Sequence, residues 1–137
     1  RAAAVTGAAG GLGAAIAAVF EAAGATVARL DVLPGDGVIP CDVTDEGSVR
    51  DALAAAARDG RLDVVVANAG IVPPWRETED LDLDALDQTL AVNVRGVAAT
   101  FKHAVPHMKE RGGALVAMAS IMGVRAHARQ AAYVASK

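Results

Sequence analysis

Two kinds of apolar pattern alternate along the chain. Short, nearly unbroken runs of Ala, Val and Leu are followed by longer stretches in which apolar residues recur every three to four positions. These are the periods of buried strands and of one-sided helices. Ala2-Ala3-Ala4-Val5, ending at Thr6-Gly7, predicts a buried strand. Leu12, Ile16, Val19, Phe20 and Ala23, at spacings of 4, 3, 1 and 3, predict one helix face, and Gly24 closes it. Residues 26–31 predict a second strand, Pro34-Gly35-Asp36-Gly37 a turn, and residues 38–41 a short third strand. Thr44 is placed to cap a helix with Asp45 and Glu46 in its first turn, where acidic groups suit the positive end of the dipole. That helix runs through Val49 and Leu53 into residues 54–57 and ends before Gly60. Residues 62–67 are continuous and β-branched, as in a parallel strand covered on both faces. After a loop with Pro73 and Pro74 comes a long helix over residues 84–108, interrupted in character by Asn93, Gly96 and Pro106. Residues 114–119 predict a fifth strand, and residues 133–137 the first turns of another helix.

Strands alternating with helices predict an α/β architecture, a doubly wound parallel sheet with helices on both faces, taken as Rossmann-type with order 3-2-1-4-5. No internal repeat, linker or boundary divides it, so residues 1–137 read as one domain. The chain has no initiator Met and stops in mid-pattern at Lys137. It reads as a fragment, incomplete at the C-terminus, with weak or no activity by itself: a helix of one or two turns is marginal, and the fifth strand becomes an exposed sheet edge.

Composition narrows the picture. The 137 residues are 53% apolar but only 3% aromatic, with 33 alanines and 14 glycines, so the core is built from small side chains. Thirteen basic against sixteen acidic residues give a net charge of −3, which points away from nucleic acid and anionic membranes as partners. No apolar run approaches the roughly 18 residues of a membrane span, and Arg1 with four small apolar residues before Thr6 makes no signal peptide. One cysteine, Cys41, cannot form an internal disulfide, which suggests a reducing, cytoplasmic setting.

The chemistry begins at Thr6-Gly7-Ala8-Ala9-Gly10-Gly11-Leu12-Gly13, between the first strand and first helix. A turn there must reverse sharply and let a pyrophosphate approach the backbone. Glycines at 7, 11 and 13 remove the Cβ atoms that would prevent both, and the helix N-terminus offers free N–H groups. Gly10 and Leu12 belong to the same binding turn. Asp31 ends the second strand, 18 residues beyond Gly13, where a carboxylate accepts hydrogen bonds from the adenosine ribose and repels a 2′-phosphate. With no Lys or Arg in the turn and Val32 next, NAD is favoured over NADP. Arg29 shares Asp31's side of the strand, placed to pair with it or to meet a phosphate.

These residues resemble the short-chain dehydrogenase/reductase family. Its TGxxxGxG is matched by Thr6, Gly7, Gly11 and Gly13. Its Asp-Val near the adenine is matched by Asp42-Val43. Its NNAG appears as Ala67-Asn68-Ala69-Gly70, departing at Ala67, where a polar contact at the strand end is lost but the backbone lining the cofactor is not touched. The helix asparagine is matched by Asn93, the strand-end serine by Ser120, and YxxxK by Tyr133 and Lys137, thirteen residues beyond Ser120. YxxxK alone carries almost nothing; six motifs in order carry the match. The resemblance implies oxidation of a secondary alcohol, or reduction of a ketone, by a set of four residues. Tyr133 is the acid/base, Lys137 tunes it and binds the nicotinamide ribose, Ser120 orients substrate, and Asn93 distorts its helix and holds a water relay. A free tyrosine titrates at about 10, too high for a base at neutral pH; an ammonium one helical turn away favours the phenolate. The resemblance further implies a homodimer or homotetramer. Substrate choice is assigned to residues after Ser120 such as Met122 and Val124.

Two other classes sit on the same scaffold. An NAD-using epimerase or dehydratase tends to carry GxxGxxG, which this turn matches poorly. A nucleotide-sensing regulator without turnover has no need of the intact Asn93, Ser120, Tyr133 and Lys137 set. His103 and His107 stand four apart, a metal-ligand spacing with no third ligand, so no metal site is assigned. Cys41 reads as a buried apolar residue, Met108, Met118 and Met122 as packing, and Trp75 and Arg76 as a surface loop, a substrate contact or a subunit contact.

Overall fold

In the computed structural model, which describes residues 1–137, five strands form one sheet in the order β3-β2-β1-β4-β5. They are β1 (Ala2–Thr6), β2 (Thr26–Asp31), β3 (Val38–Pro40), β4 (Val64–Ala67) and β5 (Ala114–Ala117), and every neighbouring pair is parallel. Helical crossovers join three of the four pairs that follow in sequence, α1 (Gly11–Ala22) between β1 and β2, α2 (Glu46–Ala56) between β3 and β4, and α3 (Leu83–Leu90) with α4 (Gly96–Ala104) between β4 and β5, whereas residues 32–37 link β2 to β3 without a helix; α5 (Ala131–Ala135) follows β5. The predicted order holds along the whole chain.

The period of two along the strands divides the core between the two faces of the sheet. Ala4, Leu30 and Val65 point to one side, where Val49 and Leu53 of α2 and Ala99 and Ala104 of α4 meet them. Val5 and Val66 point to the other, against Ala17 with Ile16 and Phe20 of α1. All five residues of β1 are buried, as they must be in a central strand covered on both sides. β5 is the opposite case: its four residues are all exposed and it forms a sheet edge.

Several boundaries differ from the sequence reading. The face of α1 against the sheet is Gly13 and Ala17, flanked by Ile16 and Phe20, whereas Leu12 and Val19 are exposed. A helix this close to a sheet seats its smallest residues against it, so ranking by apolarity misplaces the stripe. Thr44 does not cap α2. Asp45 does, accepting from the N–H groups of Gly47 and Ser48, while Thr44 is held by Asp42 one turn earlier. The long helix is not continuous. Asp82 caps α3, a π-helical turn at Ala91–Arg95 separates α3 from α4, and a 3-10 turn at Val105–His107 accommodates Pro106. The fourth and fifth strands are shorter than predicted. Arg29 neither pairs with Asp31 nor stands free; Glu21 of α1 binds it with two hydrogen bonds of 3.1 and 2.8 Å.

α2 and α4 are fastened at the surface by Glu46, whose Oε1 accepts from Lys102 Nζ at 2.6 Å and lies 3.0 Å from His103 Nε2. Hydrogen bonds from Lys102 and then His103 hold the Glu46 carboxyl at about 2, below its ordinary 4.5. A depressed carboxylate stabilises the fold above its unfolded pKa, and that contribution disappears as pH falls through the folded value. The difference in urea midpoint between the protein and its Glu46→Gln variant is therefore expected to be full at pH 5 and to close between pH 4.5 and about 2; a difference that stays constant across that window would contradict the assignment.

Candidate active site

At the C-terminal ends of β1 and β4 the chain departs to opposite faces of the sheet, which opens a crevice of the kind where doubly wound folds bind ligands. Two side chains join the strand ends there. Thr6 Oγ1 accepts from the N–H groups of Asn68 and Ala69, both at 3.0 Å. In return Asn68 Nδ2 donates to the carbonyls of Thr6 at 2.9 Å and Gly7 at 3.2 Å. Each side chain thereby serves the backbone of the other segment where the strands diverge.

The glycine turn packs onto this junction. Gly7 has a φ of 67°, and a Cβ there would stand 2.9 Å from Ala69 Cα. A Cβ on Gly13 would overlap the Gly7 carbonyl oxygen and come within 2.6 Å of Asn68 Nδ2. Gly10 and Gly11 face open space, with nothing within 4 Å. Two glycines thus allow the chain to pack, and two leave the backbone bare toward solvent at the start of α1. Asp31 holds the outer side of the turn: its Oδ2 accepts from Ala9 N–H and its Oδ1 from Leu33 N–H, both at 2.9 Å.

From this junction runs a cleft of about 730 Å³. Gly7, Gly10, Leu12 and Gly13 line it together with Asp31, Asp42 and Val43. Asn68, Ala69 and Gly70 continue it to Tyr133 and Lys137. Gly11 and Ser120, also singled out from the sequence, are not in its lining. Ser120 follows β5, where its Oγ accepts from Met122 N–H at 3.2 Å and caps a 3-10 turn at Ile121–Gly123. Asn93 lies buried behind the cleft on the π turn, 4% exposed. Its amide oxygen accepts from Ile71 N–H, and its Nδ2 donates to the Ile71 carbonyl and to Ser136 Oγ, all at 2.9 Å. A Cβ on Gly70 would lie 3.3 Å from Asn93 Oδ1 and 3.7 Å from Lys137 Nζ, so these three residues are neighbours.

Lys137 Nζ donates to the Met118 carbonyl at 2.8 Å and stands 5.8 Å from the centre of the Tyr133 ring. The ammonium is thus fixed to the end of β5 beside the phenol. α5 is seated from below as well, since a side chain at Gly123 would strike the Lys137 carbonyl. Farther out, the loops after β4 and β5 are joined: Trp75 meets His127 edge to face at 5.1 Å between ring centres, Arg76 N–H donates to the Arg129 carbonyl, and Arg129 pairs with Glu77 at 3.2 Å. Gln130, buried at the start of α5, has no protein partner for its amide and borders a cavity of about 50 Å³.

Sequence reasoning passed over Thr6 as a clamp, Ser136 as a partner of Asn93, and Gln88, Val92 and Met118 as cleft lining. Thr6 was marked as part of the glycine motif and Ser136 by its place beside Lys137; Gln88, Val92 and Met118 carried no signal as lining. The remaining candidates have structural roles. His103 meets Glu46, His107 Nδ1 meets the Gly60 carbonyl, and no three His, Cys, Asp or Glu side chains converge as metal ligands. Burial, and then the charges of Asp42 and Asp31, push the Cys41 thiol up to about 11, so it is no nucleophile at neutral pH. No helix is long and apolar enough to cross a membrane.

Comparison with known proteins places this arrangement. The profile described as short chain dehydrogenase matches residues 1–137. The cis-4-hydroxycyclohexanecarboxylate dehydrogenase of Sinomonas cyclohexanicum is 41% identical over all of this chain and 61% of its own length. Levodione reductase superposes with a TM-score of 0.93 at 29% identity, over 99% of this chain and 60% of that one. The 3-ketoacyl-(acyl-carrier-protein) reductase of Brucella melitensis, solved in complex with NADH, gives 0.91 at 30% identity, over 98% of this chain and 62% of that one. The chain spans about 60% of the length of these relatives.

The glycines separate by what surrounds them. Alanine at Gly13 gains up to about 1 kcal/mol of helix propensity but forces backbone and an engaged amide to move, so Gly13→Ala is expected to destabilise by about 1–3 kcal/mol net. Gly10 has extended backbone, with φ −163°, and open space, so Gly10→Ala is expected to cost less than about 1 kcal/mol, the loss of a tolerated cap. Urea unfolding of both variants checks the ranking, which reversal would refute.

Proposed function

The chain belongs to the short-chain dehydrogenase family, and on that footing we propose that it transfers a hydride between NAD(H) and a secondary alcohol or ketone. One observation carries this reading: a single cleft is lined by the glycine turn, by Asp31 and by Tyr133 with Lys137.

The residues fit a dinucleotide. Bare backbone at Gly10 and Gly11 opens the start of α1 to a pyrophosphate, and the absence of Cβ atoms at Gly7 and Gly13 draws the turn close to Asn68–Gly70. Asp31 stands where an adenosine ribose is bound, and its charge disfavours a 2′-phosphate, which supports NAD over NADP. Asp42 and Val43 would hold the adenine. When bound, the nicotinamide supplies the hydride acceptor for oxidation and, reduced, the donor for the reverse reaction.

The protein's own part is the proton. Tyr133 takes it from the alcohol oxygen, or gives it to the ketone, as general base or acid. Lys137, fixed by the Met118 carbonyl, holds its ammonium 5.8 Å from the Tyr133 ring centre and has further N–H groups for a ribose hydroxyl. Ser120 accepts from Met122 N–H, which leaves its own O–H to donate to the substrate oxygen. Asn93, behind Lys137, carries the relay that restores the proton from solvent. Cyclic secondary alcohols, among them the hydroxycyclohexanecarboxylate that names one relative, are the first substrates to test. The protein would work as a homodimer or homotetramer; Leu83, Val94 and Val105 leave apolar surface exposed along α3, the π turn and the end of α4.

In the full-length protein, Tyr133→Phe is expected to lower kcat by about 10²–10⁴-fold while NADH binding, followed by fluorescence, stays within twofold of the parent; turnover surviving the substitution would overturn the assignment. In parallel titrations NAD is expected to bind at least about tenfold tighter than NADP, because a carboxylate facing a phosphate costs on the order of 1.4 kcal/mol or more. Equal or tighter binding of NADP would reverse the cofactor assignment.

A further inference from the structure

Asp42, Val43 and Thr44 line the cleft beyond Asp31, and their shape is set partly from within. Asp42 Oδ1 accepts from Thr44 N–H at 2.9 Å and from its hydroxyl at 2.7 Å, while Asp42 N–H donates to Ser48 Oγ at 2.9 Å. The rest comes from the segment that carries Asn93. Arg95 Nη1 donates to the Thr44 carbonyl at 2.6 Å, the only side-chain hydrogen bond Arg95 makes, and no carboxylate pairs with it. Next to it, Gly96 lets the helix rest on Val43: a Cβ there would stand 3.0 Å from Val43 Cβ and 3.2 Å from its carbonyl oxygen.

The π turn permits this double engagement. Its widened loop closes with Gly96 N–H on the Ala91 carbonyl, and residues two apart on a helix point to nearly opposite sides. Asn93 therefore reaches inward to Ile71 and Ser136, while Arg95 reaches outward to Thr44. Arg95 is exposed and gains little from burial or ion pairing. Its contact is a charge-assisted bond to a carbonyl that would otherwise face water.

We propose that Arg95 is a positioning residue for the adenosine end of the cleft: by fixing the Thr44 carbonyl it holds Asp42, Val43 and Thr44 in the ligand-ready shape before a nucleotide arrives. The inference rests on the NAD reading above. It assigns Arg95 a share of nucleotide affinity and none of the chemical step, because ordering a loop beforehand removes a cost from binding and leaves the reacting groups untouched.

The test uses the full-length protein, with 5′-AMP as a probe of the adenosine end alone, NADH as the whole ligand, and steady-state kinetics with NAD varied. For Arg95→Ala, AMP and NADH are expected to bind about tenfold more weakly, the size of one lost hydrogen bond from a charged donor. KM for NAD should rise by the same factor and kcat at saturating NAD stay within twofold. Arg95→Lys, which keeps a charged donor, should recover part of the affinity, and thermal unfolding of both variants should match the parent. AMP affinity unchanged in Arg95→Ala, or a fall in kcat with KM unmoved, would overturn the proposal. Failure of the unmutated protein to bind either AMP or NADH would instead overturn the NAD reading, and the proposal with it.

Discussion

Where β1 and β4 part company, a hydroxyl and an amide keep them together. The strands end side by side in the middle of the sheet and send their chains to opposite faces. Thr6 and Asn68 bridge the divergence reciprocally, each side chain serving the backbone of the other segment. The position of the glycine turn follows from that junction, because Gly7 and Gly13 are packed directly against it. The buried asparagine of the π turn holds the same loop from the far side at Ile71. A parallel sheet supplies the crevice, but these small polar contacts decide that it is a shaped cleft and not a gap.

A core of alanine and glycine has a physical meaning here. Each alanine contributes little apolar area, but it lets helices approach the sheet and one another closely enough for backbone to meet backbone. Gly13 on the Gly7 carbonyl, Gly96 on Val43 and Gly123 on the end of α5 are three such approaches, and each brings a site-bearing segment to its place. The bulk that small residues fail to provide comes from Leu30, Leu53, Leu62, Val5, Val49 and Val65, all fully buried.

Much of this was legible in the sequence because strands and turns leave local signatures. Val64-Val65-Val66 between Gly60 and Gly70 reads as a buried strand with no tertiary information, and the parallel pairing of the sheet follows from the alternation. The glycine turn, Asp31 and Tyr133 with Lys137 were legible as chemistry because each needs a fixed spacing. What stayed hidden depends on distance in space. Arg29 was placed to pair with Asp31 on its strand or to meet a phosphate, and instead takes Glu21 from the neighbouring helix. Leu12 and Val19 looked like core, but proximity favoured Gly13 and Ala17. Thr44 and Asp45 are both good caps, and Asp42 decided between them by engaging Thr44. The π turn has no pattern of its own; Asn93 marked the place, and only the packing of Ile71 and Ser136 around it shows why the helix widens there.

Asp31 has a second occupation besides its charge. Both carboxylate oxygens are already spoken for by the chain, one by the glycine turn at Ala9 and one by its own loop at Leu33. An engineer who exchanged that single side chain to change the charge of the cleft would also slacken the glycine turn. Redesign here has to begin with a substitute tether for Ala9, and only then alter the charge.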